Sequence, residues 1–247
     1  MAAARAFLKA LPHGDIQQVL PGIYFVSGTM TMPGSSSMRF SRNMTVIEAA
    51  GALTLVNSVR LDEQGLEQLE KLGTVENVIR LAGFHGVDDP FYKDRYSAKI
   101  WSVNAPYTKG FKTSPTAEDI YFTPDVILDA SSPLPVDNAK LIEFKTSTPG
   151  EALLLLEREG GVLISGDCLQ NWAKTDRYFS FSAKLIMKLM GFIKPYNIGP
   201  GWLKAATPDR NEIKSILDFE FAHVLPAHGL PVIGDAKACY KPTISKL

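Results

Sequence analysis

The sequence is short of cysteine, carries no excess of either charge, and has neither a long apolar run nor a repeat. Each absence closes off a class of protein. Cys168 and Cys239 are the only cysteines in 247 residues, so no disulfide framework is expected and a reducing, cytoplasmic compartment fits. Twenty-six basic side chains face 26 acidic ones; without a basic excess, no nucleic-acid partner is expected. No stretch approaches eighteen apolar residues free of charge, so no membrane span is expected. The opening MAAARAFLKALPHG is broken by Lys9 and ended by Pro12, which makes a poor signal peptide. No low-complexity tract and no break in composition divides the chain. One domain is expected over residues 1–247, with its core at about 21–235.

What is present is a set of strands ending in side chains able to hold a metal. In VLISGDCLQ (162–170) an apolar run passes through Gly166 to a single carboxylate, Asp167. A lone acid at the end of a buried strand is costly to desolvate unless a cation or hydrogen bonds compensate it. VIRLAGFHGVDD gives way in the same manner to His85 and Asp89, and HVLPAHGLPV to His228 and Gly229. Three such endings predict one site at one edge of a sheet. Taken singly, each is equally an ordinary polar residue of a turn, and Gly166 and Gly229 read as turn residues. Cys168, beside Asp167, reads as a small core residue. His13 and His223 carry no motif. Trp172, Tyr178 and Phe179 follow the Asp167 loop and are read either as pocket lining or as plain core.

In chain order, residues 1–14 read as a short helical lead-in and GIYFVSG as a strand. Residues 29–43, rich in Ser, Met and Gly, read as a mobile flap. MTVIEAAGALTLVNS is a hairpin turning at Ala50-Gly51. Asp62 caps a helix that Gly73 stops. The strand VENVIRLA, a helical turn FYKDRY and the strand AKIWSV follow. Residues 104–137 hold one or two short strands, such as YFTPDVIL. AKLIEFK and EALLLLE flank the turn TSTPG, VLISG follows, and AHVLPA is the last strand. Helices are expected around 180–193, after Asp209, and after the cap Asp235. The helix around 180–193 sets Leu185, Ile186, Leu189, Met190 and Phe192 among Lys184, Lys188 and Lys194. It reads as packed on a sheet or as a homodimer face, with attachment to lipid as a further option.

The order of these pieces resembles the metallo-β-lactamase superfamily from about Pro21 to Pro231. The pieces that carry the resemblance are PGIYFVSG, the hairpin, the strand before His85, the TPG turn at 148–150, LISGDCL and VLPAHGLPV. The resemblance implies an α/β fold, an αββα four-layer sandwich of two mixed β-sheets flanked by helices, with metal ligands on loops at one edge. It also exposes a damaged motif. Setting His85 on the first histidine of the family's HxHxDH pattern puts Val87 on the second, Asp89 on the aspartate and Pro90 on the last histidine. Ser147 stands where a histidine precedes the TPG turn, and Asn57 where an early aspartate stands. Asp167 matches the bridging acid and His228 the final histidine. A register with His85 on the second histidine would instead set Val87 on the aspartate.

The resemblance therefore implies a weakened first metal position and a second one built on Asp89, Asp167 and His228. His85 serves there as fourth ligand or general base, and Asp89 and His85 are the candidate catalytic residues. One divalent ion, Zn²⁺, Mn²⁺ or Fe²⁺, or none at all, is implied. Two carboxylates on one ion would cancel most of its charge and leave bound water less acidic, so slow hydrolysis of an ester, amide, thioester or phosphoester is expected. The alternative is a catalytically inactive domain of the same fold that binds a small molecule or a protein partner. The two readings differ in whether stoichiometric metal accompanies the protein.

Overall fold

Ala152, Leu154 and Leu156 face one side of their strand, and Leu153 and Leu155 face the other. Both sides are buried, so this strand lies inside a layered structure and not on its surface. The computed structural model describes residues 7–35, 37–110, 112 and 114–247. Its first half contains β1 (Gln17–Leu20), β2 (Ile23–Thr31), β3 (Arg39–Ala49), β4 (Ala52–Val56), α1 (Glu63–Glu70), β5 (Thr74–Arg80), α2 (Asp89–Tyr96) and β6 (Lys99–Val103). The short strands β7 (Tyr107–Thr108), β8 (Ile120–Phe122) and β9 (Val126–Leu128) complete it. The second half runs β10 (Ala139–Phe144), β11 (Glu151–Leu156), β12 (Val162–Ser165), β13 (Leu169–Gln170), α3 (Phe181–Leu189), β14 (Asn197–Ile198), α4 (Pro200–Ala206), α5 (Arg210–Lys214), β15 (His223–Pro226) and α6 (Ala236–Ile244).

Seven strands form one mixed sheet in the order β1-β2-β3-β4-β5-β6-β9, and four form a second in the order β10-β11-β12-β15. The first is antiparallel from β1 to β4 and parallel from β4 to β9; the second is antiparallel except for the β12–β15 pair. The inner faces share one core, in which Ile47, Val56 and Ile79 meet Leu154, Ile164 and Leu225. On the outer face of the first sheet, Leu55 and Val78 pack with Leu66 of α1 and Tyr92 of α2. On the outer face of the second, Leu155 and Leu163 pack with Trp202 of α4, Ile213 of α5 and Tyr240 of α6. The result is helix, sheet, sheet, helix, as expected.

Local chemistry explains the element ends. The β3–β4 hairpin turns through Ala50 and Gly51, both at positive φ (51° and 82°), the geometry that matches strand twist. The Asp62 carboxylate accepts from the Gly65 amide at 2.9 Å and starts α1. Three expectations are corrected. The flap at 29–43 is mostly strand: β2 continues to Thr31 and β3 begins at Arg39, because their backbones pair in unbroken register from Ile23↔Ile47 to Thr31↔Arg39. Residues 7–14 of the lead-in are not helical, and residues 1–6 lie outside the described residues. Asp235 precedes α6 in a left-handed conformation with no capping hydrogen bond from its side chain. No helix among the described residues is long and apolar enough to cross a membrane.

Candidate metal centre

At one edge of the sandwich the two sheets are stitched by backbone and amide hydrogen bonds. The Asn57 side chain accepts from the Leu81 amide and donates to the Ser165 carbonyl, each at 3.1 Å. It thereby joins the ends of β4, β5 and β12. The Ala152 amide donates to Leu81 and the Gly83 amide to Gly150, both at 2.8 Å. Asn43 of β3 donates through its side chain to Pro226 and Gly229, at 2.9 and 2.6 Å. Each loop carrying a candidate ligand is therefore anchored to the opposite sheet at its root.

Two glycines are required by this close approach. A Cβ on Gly166 would lie 2.5 Å from that of Ala82, and one on Gly229, at φ +95°, would lie 2.1 Å from the Asn171 backbone. Gly166 sits in the bend after β12 and Gly229 in a bridge to Asn171, and they bring Asp167 and His228 to the seam.

Three of the four expected ligands converge there. His228 Nε2 stands 3.1 Å from Asp167 Oδ1, and His85 Nε2 stands 3.4 Å from Asp167 Oδ2. One donor atom from each of the three lies within 4.8 Å of the other two. The His228 ring is held from behind: its Nδ1 is 3.2 Å from the Ser41 carbonyl, and the Trp172 and Phe40 rings pack on it at 4.8 and 6.1 Å. With Nδ1–H bonded to that carbonyl, Nε2 would be the atom free to ligate an ion. Burial, partly offset by the Asp167 charge, lowers the pKa of His85. Its imidazole is therefore neutral near pH 7, the form that ligates a metal. Burial opposes ionisation of Asp167, but His85 and His228 outweigh it and hold the carboxyl below the usual carboxylate range. Asp167 Oδ2 is buried and accepts no hydrogen bond, an arrangement that is costly unless a cation takes up the lone pairs. Two imidazoles and one carboxylate form a donor set that fits a divalent ion with open positions.

The structure does not bring Asp89 into this group. It is the first residue of α2, fully buried, and both its carboxylate oxygens are engaged: Oδ1 accepts from Ser58 and Oδ2 from Tyr107, each at 2.6 Å. Tyr107 in turn lies under the guanidinium of Arg80, 3.9 Å from the ring centre. Arg80 is fully buried and donates to the carbonyls of Ala82, Gly83, Ala105 and Pro106. Arg80, Tyr107 and Asp89 thus form a polar pillar beneath the loop that presents His85. Sequence reading missed Arg80, because nothing in the pattern of a strand marks one of its residues as a buried cation.

The other candidates are structural. Ser147 accepts from the Trp202 indole at 3.0 Å and donates to the Pro149 carbonyl at 2.8 Å, so its hydroxyl is occupied. His13 accepts from the Asp62 amide at 2.9 Å. His223 bonds Glu159 and Gly234. Cys168 is buried in the outer core of the second sheet, and burial raises its thiol pKa well above the ordinary value. Also unforeseen was Glu151, which accepts from the Cys168 amide at 2.8 Å behind Asp167. Burial first, and the Asp167 charge second, push its carboxyl well above the usual range.

Above His85, Asp167 and His228 opens a cavity of about 960 Å³, at the upper end for ligand pockets (about 300–1,000 Å³). Its walls are apolar and rich in sulfur: Met30, Met32 and Met38 come from β2 and the following turn, and Met187 and Met190 from the α3 segment. Trp172 also lines it, whereas Phe179 packs behind Trp172 in the core. Asp88 lines the cavity, and Arg42 binds its carboxylate; Asp89 is not among the lining residues.

Comparison with solved structures decides the architecture. DIM-1 metallo-β-lactamase superposes with a TM-score of 0.61 at 12% identity, over 95% of this chain and 99% of that one. The fold is that of the metallo-β-lactamases. The mono-zinc form of FIM-1 from Pseudomonas aeruginosa gives a TM-score of 0.59 at 10% identity and 98% coverage of both chains. A metallo-β-lactamase from Hirschia baltica gives 0.55 at 12% identity, over 94% of this chain and 97% of that one. No family model matches the chain, and no curated protein matches it by sequence. In this chain the loop after β5 carries His85, Val87 and Pro90.

Proposed function

We propose that this protein is a metal-dependent hydrolase with a reduced, mononuclear site. His85, Asp167 and His228 hold one divalent ion, and the substrate is a small molecule whose ester, amide, thioester or phosphoester bond lies beside a large apolar group. The observation that carries this reading is the position of the three donors, within 4.8 Å of one another at the base of the cavity. An ion held there supplies Lewis-acid polarisation of the scissile group and acidifies water. The remaining roles belong to the chain. Asp167 contributes the one negative charge of the donor set, so less of the ion's charge is cancelled than with two carboxylates. His228 is fixed by Ser41, Trp172 and Phe40, and His85 by the Arg80 pillar. The methionine and aromatic walls exclude water from the substrate's apolar part. Zn²⁺ suits two imidazoles and a carboxylate, with Mn²⁺ and Fe²⁺ as chemically reasonable occupants. The two unpaired cysteines agree with a reducing, cytoplasmic setting.

The loss of imidazoles at Val87, Pro90 and Ser147 favours a second reading, in which the same cavity binds an apolar ligand without turning it over. Metal analysis of protein purified without added zinc, beside Asp167→Ala, separates the two. About one ion per chain in the parent and loss of most of it in the variant supports the hydrolase. No ion in either refutes it in favour of the binding domain.

A further inference from the structure

The wall of the cavity formed by α3 has a second face that is largely exposed. Phe181 is 85% exposed, Leu189 79% and Leu185 55%. At about 100° per residue these three fall within one arc of the helix, and Ile186 and Met190, also exposed, extend it. Ala183 and Met187 hold the opposite face in the protein. Five exposed large apolar side chains on and just beyond a nine-residue helix exceed what scattered surface hydrophobics explain.

The charge around this face has one sign. From residue 177 to residue 208 there are five basic side chains (Arg177, Lys184, Lys188, Lys194 and Lys204) and no acidic one, in a chain whose formal net charge is zero. Arg39 joins them, because its backbone pairs with Ser180 at the start of α3. Exposed Lys9 and Lys109 line the cavity. Of the acids lining it, Asp88 is ion-paired with Arg42, and Asp167 is turned to His85 and His228 at the base of the cavity. An apolar stripe bordered by lysines and free of acids is the pattern of a helix lying in a lipid interface: the stripe enters the acyl boundary and the lysines meet anionic headgroups.

We propose that α3 docks this protein on an anionic bilayer, with Phe181, Leu185 and Leu189 inserted and Lys184 and Lys188 at the headgroups. Met190 both lines the cavity and stands exposed beside the stripe. Docking therefore sets the cavity at the bilayer surface, where an apolar ligand enters without crossing water. This inference does not rest on the metal or on hydrolysis.

The test is co-sedimentation of the full chain with vesicles of phosphatidylcholine alone and of phosphatidylcholine with a quarter phosphatidylglycerol, in low and high salt. The expected result is binding to the anionic vesicles that salt weakens. Leu185→Ser/Leu189→Ser should weaken it about tenfold or more, and Lys184→Glu/Lys188→Glu should abolish the preference for anionic lipid. Because all four side chains are exposed, both variants should keep the parent's circular dichroism and urea midpoint. Failure of the parent to bind anionic vesicles at low salt overturns the proposal, as does undiminished binding of the serine pair. So does a parent that is dimeric by light scattering and binds no vesicles, with the serine pair monomeric; α3 is then a contact between copies of this chain.

Discussion

Replacing Asp89 distinguishes a buried prop from a metal ligand, because the two roles predict opposite outcomes. In Asp89→Ala the hydroxyls of Ser58 and Tyr107 lose the acceptors they hold at 2.6 Å, and neither can turn to water in a fully buried position. An orphaned buried hydroxyl costs about 1–3 kcal/mol, so the pair costs about 2–6 kcal/mol. For a chain of this size each kcal/mol lowers the melting temperature by about 2–4 °C. Asp89→Asn keeps one of the two acceptors and sets an amide N–H donor against the other hydroxyl, so it should recover about half of the loss. Urea denaturation followed by circular dichroism reads the stability, and elemental analysis of the folded fraction reads the metal. The expected outcome is a destabilised alanine variant, an asparagine variant of intermediate stability, and metal content close to the parent's in both. Had Asp89 been a ligand, both variants would lose most of the metal. That result would refute the geometry argued here.

Two further outcomes follow from the seam between the sheets. Asn57→Ala removes the acceptor of the buried Leu81 amide and sets alanine at φ 54°, while the Ser165 carbonyl keeps its bond from Ala227. One orphaned amide and one left-handed alanine together cost about 2–5 kcal/mol in urea unfolding; a loss below about 1 kcal/mol would contradict the stitching role. Glu151→Gln should raise stability at alkaline pH. Its folded pKa is raised, so the folded chain binds the proton more tightly than the unfolded chain. The contribution is full below the unfolded value of about 4.3 and is lost as pH rises through the folded one, at about 1.4 kcal/mol per pH unit between them. In metal-free protein the urea midpoint of the parent should therefore decline relative to that of Glu151→Gln as pH rises above about 5. Parallel midpoints would show that Glu151 ionises normally.

The layers were legible in the sequence because strands buried on both faces leave a plain mark. EALLLLE is apolar between its two glutamates, and its alternate leucines do feed two separate cores. The convergence of His85, Asp167 and His228 was legible for a related reason, since each follows a buried strand directly and sheets align such ends. Asp89 shares that appearance but sits four residues beyond His85, at the buried first position of α2. Its partners, Ser58 and Tyr107, lie 31 and 18 residues away, distances over which no periodicity reports. The cavity was illegible for the same reason. Its methionines arrive from β2, the turn after it and the α3 segment, and only tertiary packing makes them one wall. The supposed flap at 29–43 shows the limit of composition: Ser, Met and Gly look mobile in isolation, yet nine paired registers with β3 make β2 a long strand.

His85 belongs to the half of the chain that builds the seven-stranded sheet, residues 17–128, whereas Asp167 and His228 belong to the half that builds the four-stranded one. Neither half owns a complete donor set. Whatever engages all three side chains acts as a clasp between two lobes, drawn shut only when they meet correctly. A nick in the connection at 129–138 would yield two fragments with incomplete sets, and the affinity of the rejoined pair for an ion would then measure how faithfully the lobes find each other.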